Sequence, residues 1–223
     1  MAALLAPHFT VFTYDRRGRG ESGDTRPYAV QREIEDIEAL AGEAGGEVFV
    51  WGISSGAFLA LEAAKKTRSI RKLALYEAPF IVDDSRPTTE DDWLRIRDAI
   101  TAGDRGAAVR LFLKSVGVPA VVIAVMRWMP IWPKLEAVAE TLPYDGALVE
   151  NDQKGKALTA SRWASVTIPT LVMDGAKSPQ WMRNGTLALA KILPKAQYRT
   201  LPGQTHNVNA KALAPALIAF FNA

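Results

Sequence analysis

Apolar residues fall into two rhythms along this chain. Short, nearly unbroken runs have the composition of strands: "FTVFTYD" (Phe9–Asp15), "EVFVWG" (Glu47–Gly52), "RKLALYEAP" (Arg71–Pro79), "PTLVMDGA" (Pro169–Ala176) and "QYRTLPG" (Gln197–Gly203). Between them the spacing lengthens to three or four. "VQREIEDIEALAGEAGG" sets Ile34, Ile37 and Ala41 on one helical face and closes on glycines. "SGAFLALEAAKK" and the terminal "AKALAPALIAFF" predict two more helices. Apolar strands alternating with helices are the signature of an α/β fold whose sheet is mostly parallel and flanked by helices.

The rhythm changes between the third and fourth of these runs, Arg71–Pro79 and Pro169–Ala176. From about Val82 to Ser165 the pattern is helical throughout. "TTEDDWLRIRDAI" opens with a capping box, Thr89 with Asp92, and "DRGAAVRLFLKSV" and "VPAVVIAVMRW" continue until Pro130 and Pro133 break the pattern. The predicted organisation is a core from residues 1–81 and 166–223, with a helical insertion over 82–165 lying over one end of the sheet.

Composition narrows the chemistry. With 223 residues, 48% of them hydrophobic, the chain can bury a sizeable core without crosslinks. It has no cysteine, which excludes disulfides, thiolate metal sites and a cysteine nucleophile, and its two histidines make a multi-histidine metal site unexpected. The net charge is +3. The basic clusters "DRRGRG" and "KKTRSIRK" lack interleaved aromatics, so nucleic acid is not an expected partner. No apolar run reaches membrane-spanning length, and "MAALLAPHF" has neither a basic leader nor a long apolar segment. The expectation is a cytoplasmic protein with no membrane partner.

One short stretch points to catalysis. In "VFVWGISSGAFLALEAA" an apolar run passes through Gly-Ile-Ser-Ser-Gly directly into helix formers. So abrupt a turn needs small residues at Gly52 and Gly56, and it forces Ser54 into a strained, exposed conformation. The helix starting there aims its amides at any developing negative charge. Ser54 therefore stands as a candidate nucleophile at the carboxyl end of the sheet, where α/β folds bind ligands. A serine needs a base. His8, before the first apolar run, reads as a surface residue. His206, in "LPGQTHNV" after the last run, lies at the carboxyl end and is the candidate base.

The motifs "YDRRGRGES" (Tyr14–Ser22), "GISSGA" (Gly52–Ala57) and "LPGQTHNV" (Leu201–Val208) resemble, in kind and in order, those of the α/β-hydrolase superfamily, in particular its cofactor-free esterase, lipase and haloperoxidase-like members. The likeness spans the chain outside the helical insertion, which corresponds to that family's variable cap. It implies a serine hydrolase acting on an ester or related acyl bond, with His206 as base, the Ser55 amide as an oxyanion donor, a small-molecule ester-like substrate and no metal or organic cofactor. A homodimer is left open.

The chain departs from the family pattern at two points. The family usually places its acid three residues after a glycine that ends a strand; here the glycine is Gly175 and that seat holds Ser178. Two strand-end carboxylates can substitute, Glu77 or Asp174, of which Glu77 is favoured because some relatives carry their acid at the end of that strand. The start "MAALLAPHF" resembles the helix after the family's oxyanion loop, so the resemblance implies that the preceding strands and that loop are missing. A lost oxyanion donor typically costs about 10²–10³ in kcat. This motivates the alternative of a catalytically weak or inactive hydrolase-like binding protein. Trp93, Met126, Trp128, Met129 and Trp132 are expected to include residues lining an apolar acyl pocket, although several could instead pack the insertion's helices together.

Overall fold

The computed structural model describes residues 1–86 and 91–223. Two compact units emerge: the first comprises Met1–Thr13, Val30–Pro87 and Asn151–Ala223, the second Tyr14–Ala29 and Thr88–Glu150. The partition runs neither at residue 82 nor at residue 165, the expected bounds of the insertion. Residues 151–165 group with the sheet, and residues 14–29 group with the helical unit. The expected capping box falls outside the described residues at Thr89.

The first unit is built on four parallel strands, β1 (Val48–Ile53), β2 (Ile70–Tyr76), β3 (Thr170–Gly175) and β4 (Ala196–Leu201), in that spatial order. Register pairs Ile53 with Tyr76, Tyr76 with Met173 and Gly175 with Leu201, so all four strands end at one edge. β3 is buried along its whole length and β2 over its last four residues, as inner strands covered on both faces must be. The outer strands β1 and β4 are only partly buried. On one side Leu213, Leu217, Phe220 and Phe221 of the helix Ala210–Asn222 join Ala74, Tyr76, Leu171 and Met173 in one cluster. Elsewhere in the unit Phe80 meets Phe58 at a tilt and Trp163 edge-on, with centroids 5.2 and 5.4 Å apart, and the Trp163 indole N–H donates to Glu62. Burying each such side chain contributes about 1.5–3 kcal/mol.

One expected strand is absent. Phe9–Asp15 has the right composition but forms no ladder, and among the described residues no strand precedes Val48. Phe9 packs through its ring, edge-on to Phe49 of β1 at 6.2 Å and to Phe221 at 6.1 Å, and its amide donates back to the carbonyl of Leu5. Strand structure requires a neighbour to exchange hydrogen bonds with, and composition cannot supply one. The expected helices form: Val30–Glu43 buries Ile34, Ile37 and Ala41, and Ser55–Lys66 connects β1 to β2. Among the described residues no helix is long and apolar enough to cross a membrane.

The second unit has its own apolar cluster, Ile96, Ala108, Val109, Ile123, Trp132, Ala139 and Leu142. Pro130 separates the helices Ala120–Met126 and Trp132–Ala137, whereas Pro133 sits in the first turn of the latter. A proline there loses no hydrogen bond, so Pro133 starts a helix rather than breaking one. The segment carrying "DRRGRG" is fastened by charge. Arg16 and Arg19 donate to the two oxygens of Asp145 at 2.8 and 2.7 Å, and Arg19 also donates to the Thr141 hydroxyl at 2.9 Å. Tyr28 stacks on Tyr144 at 3.9 Å, whose hydroxyl donates to Asp24 and holds that carboxyl below its ordinary range.

Asp145 is buried between two largely buried arginines, so its loss removes the one carboxylate that Arg16 and Arg19 share. Asp145→Asn should lower unfolding stability by about 3 kcal/mol, read from the urea midpoint. An unchanged midpoint would mean that both guanidinium groups relax into water.

Candidate active site

The turn from β1 into the helix Ser55–Lys66 is made by Ser54 alone. Its amide extends the ladder, donating to the Tyr76 carbonyl at 3.0 Å, while its own carbonyl already accepts from Ala57 at 3.0 Å. That double duty forces φ to 55° and ψ to −129°. A non-glycine residue held there stores about 1–3 kcal/mol. Gly52 makes the turn sterically passable: a Cβ on it would stand 2.4 Å from the Gly56 oxygen and 2.8 Å from Ala57 Cα. Gly56 is different, because a Cβ there would meet nothing within 4 Å. Of the two glycines to which the sequence assigns the tight turn, only Gly52 is sterically required.

Glu77 follows β2 as Ser54 follows β1, and the Ile53–Tyr76 register sets them side by side. Among the described residues, Ser54 and Glu77 are the two non-glycine residues with positive φ, 55° and 48°. Glu77 is fully buried. Its Oε1 accepts from the Gly175 amide at 2.7 Å, and its Oε2 lies 2.8 Å from His206 Nδ1. A carboxylate only accepts, so Nδ1 donates and the lone pair stays on Nε2. His206 keeps about a third of its side chain exposed. His8 is exposed, its ring 6.3 Å from Phe9.

Asp174, the other carboxylate, takes different partners. It is also fully buried, but Oδ2 accepts from the Tyr198 hydroxyl at 2.7 Å and from Arg183 Nε at 3.3 Å. Burial raises the Tyr198 phenol above its ordinary range, and the charge of Asp174 raises Arg183. The structure thus brings His206 to Glu77 and gives Asp174 to a tyrosine and an arginine. Ser178 is buried beside this pair of strand ends, its amide donating to the Gly175 carbonyl. Ser55 is the first residue of its helix, at the positive end of the helix dipole.

The loop carrying His206 is pinned by a residue that sequence reasoning missed. Tyr76, fully buried, donates its hydroxyl to the Thr205 carbonyl at 2.8 Å. Burial, aided by the charges of Glu77 and Asp174, raises its phenol far above the ordinary range, so the donor proton is retained. Gly175 allows the approach: a Cβ there would stand 2.4 Å from the Gln204 oxygen and 2.7 Å from the Tyr76 hydroxyl. The signal in "LALYEAP" is a hydroxyl in an otherwise apolar strand, and it says nothing of direction.

The five expected pocket residues divide within the second unit. Trp132 is buried and its indole donates to Glu136 at 2.7 Å; Trp93 lies against Gly146 and Phe112; Met126 packs on the unit's apolar cluster. Trp128 and Met129 face solvent.

A four-stranded parallel sheet with flanking helices, carrying a strained serine after one strand and a histidine–carboxylate pair beside it, defines a class of α/β enzymes. Residues 1–216 match the model of the alpha/beta hydrolase family, and the chain belongs to that family. It is similar to an alpha/beta hydrolase from Sphaerobacter thermophilus, with 51% identity and a TM-score of 0.90, the match covering 99% of this chain and 85% of that one. It shares the fold of a hydrolase from Pseudomonas aeruginosa (23% identity, TM-score 0.73, 99% and 83% covered) and of an enol-lactonase from Burkholderia xenovorans (20%, 0.68, 99% and 84%). A proline iminopeptidase of Pestalotiopsis fici is 32% identical over 68 residues, 29% of this chain and 24% of that protein's length.

The turn geometry separates the two glycines experimentally. Gly52→Ala should cost at least about 2 kcal/mol by overpacking against backbone. Gly56→Ala should be neutral or stabilising by up to about 1 kcal/mol. Urea unfolding of both variants measures this, and equal losses would show that the strand-to-helix approach is not what demands glycine.

Proposed function

We propose that this hydrolase cleaves a carboxylic ester or related acyl bond with Ser54 as nucleophile, His206 as base and Glu77 as the acid that orients it. The observation that carries the reading is the His206–Glu77 contact of 2.8 Å beside a serine held at φ 55°. Ser54 Oγ attacks the acyl carbon as its proton passes to His206 Nε2. Glu77 stabilises the imidazolium and fixes the tautomer. The Ser55 amide faces the oxyanion, the leaving alcohol takes the proton from Nε2, and water activated by the same nitrogen frees the acid.

Ser54→Ala should abolish turnover of short p-nitrophenyl esters, and a fluorophosphonate probe should label Ser54 in the parent. Retained turnover within a few fold, in a variant that melts like the parent, would place the chemistry elsewhere.

The two carboxylates should separate in kinetics. Glu77→Gln should lower kcat by about 10³–10⁴, because the neutral amide permits the wrong histidine tautomer. Asp174→Asn should act mainly on the melting temperature, through Arg183 and Tyr198. A larger kcat loss at Asp174 than at Glu77 would reverse the assignment.

A further inference from the structure

The second unit turns an apolar face to water. Around the helix Ala120–Met126 only Ile123 is buried in the unit's cluster, with Met126 packed beside it. Helical spacing sets Val121, Val125 and Trp128 together on the opposite side. Their exposures are 71, 58 and 92%, and Val122, Met129 and Ile131 are each exposed as well. An indole almost wholly in solvent beside two exposed valines of the same helical side, with three more exposed apolar side chains within residues 121–131, is an apolar surface of the kind that marks a binding site.

The charge around the patch has one sign. From Arg105 to Leu135 the sequence contains no acidic residue, but it holds Arg105, Arg110, Lys114, Arg127 and Lys134. Arg105 pairs with Glu140 and Arg110 with Asp104, whereas Lys114, Arg127 and Lys134 have no acidic partner among the described residues. All three are exposed. A second copy is a poor occupant, because a two-fold contact would set this surface and its basic residues against the same surface, with no acidic residue from Arg105 to Leu135 to answer them. An anionic lipid surface answers both features: its acyl boundary takes Trp and Val, and its headgroups take Lys and Arg.

We infer that this face, centred on Val121, Val125 and Trp128 and bordered by Arg127 and Lys134, docks the protein on anionic membrane surfaces. The contact is peripheral. The short apolar runs that argue against a membrane partner in the sequence argue only against a span. The docking is independent of the hydrolytic reading and needs no turnover.

The test is co-sedimentation of the full chain with vesicles of equimolar phosphatidylcholine and phosphatidylglycerol, against vesicles of phosphatidylcholine alone. The parent should pellet with the anionic vesicles, release as salt is raised, and stay in solution with the neutral ones. Trp128→Ser combined with Val121→Ser should weaken the partition more than tenfold. Arg127→Gln and Lys134→Gln should each weaken it about fivefold. All four positions are exposed, so melting curves like the parent's show that the variants fold. No pelleting with anionic vesicles overturns the proposal, as does equal pelleting with neutral ones or pelleting unchanged by the substitutions. A dimer in light scattering that Trp128→Ser dissolves, without vesicle binding, assigns the face to a second copy and also overturns it.

Discussion

Glu77 has no exposed surface, and a carboxylate withdrawn from water must recover several kcal/mol from its neighbours. The difficulty doubles because Asp174, in register on the adjacent strand, is buried as completely. Two neighbouring carboxylates are tolerable when each has its own partners and they point apart. Glu77 takes the Gly175 amide and His206; Asp174 takes Tyr198 and Arg183. Much of the local architecture follows from that sorting. Gly175 is a glycine because the Gln204 carbonyl and the Tyr76 hydroxyl crowd the space a Cβ would fill, and Tyr76 in turn holds the backbone next to His206. The positive φ of Glu77 is strain paid where the carboxylate turns from the strand toward the histidine.

Much of the fold was legible because strands buried on both faces and amphipathic helices leave distinct periods. Phe9–Asp15 shows the limit of that reading. Its residues favour a strand, but a strand exists only with a partner, and the partner is not encoded locally. The cut between the units was legible only in part, for a similar reason. Residues 14–29 group with the helical unit through ion pairs and a ring stack with residues more than a hundred positions away, and periodicity carries no information at that range.

The site was legible to the level of residue type. Gly-Ile-Ser-Ser-Gly between a strand and a helix announces a strained serine, and the second histidine lies in a loop after the last strand. Glu77 and Asp174 are both strand-end carboxylates, and nothing in their spacing says which turns toward the histidine. The tryptophans show the same ambiguity. Trp128 and Trp132 stand four apart, yet the chain between them turns at Pro130, so one is buried and the other lies in solvent.

The contact between Glu77 and His206 joins residues 129 positions apart, and β3, which completes the seat for Glu77, is also distant in the chain. Synthesis makes the serine and the carboxylate well before the histidine. Until residue 175 has been made Glu77 lacks the amide, and until residue 206 the imidazole, that answer its buried carboxylate. A chain released before residue 206 therefore carries Ser54 and Glu77 without that imidazole. The pairing at this sheet edge is thus completed only by a long-range contact, and no shorter piece of the chain contains it.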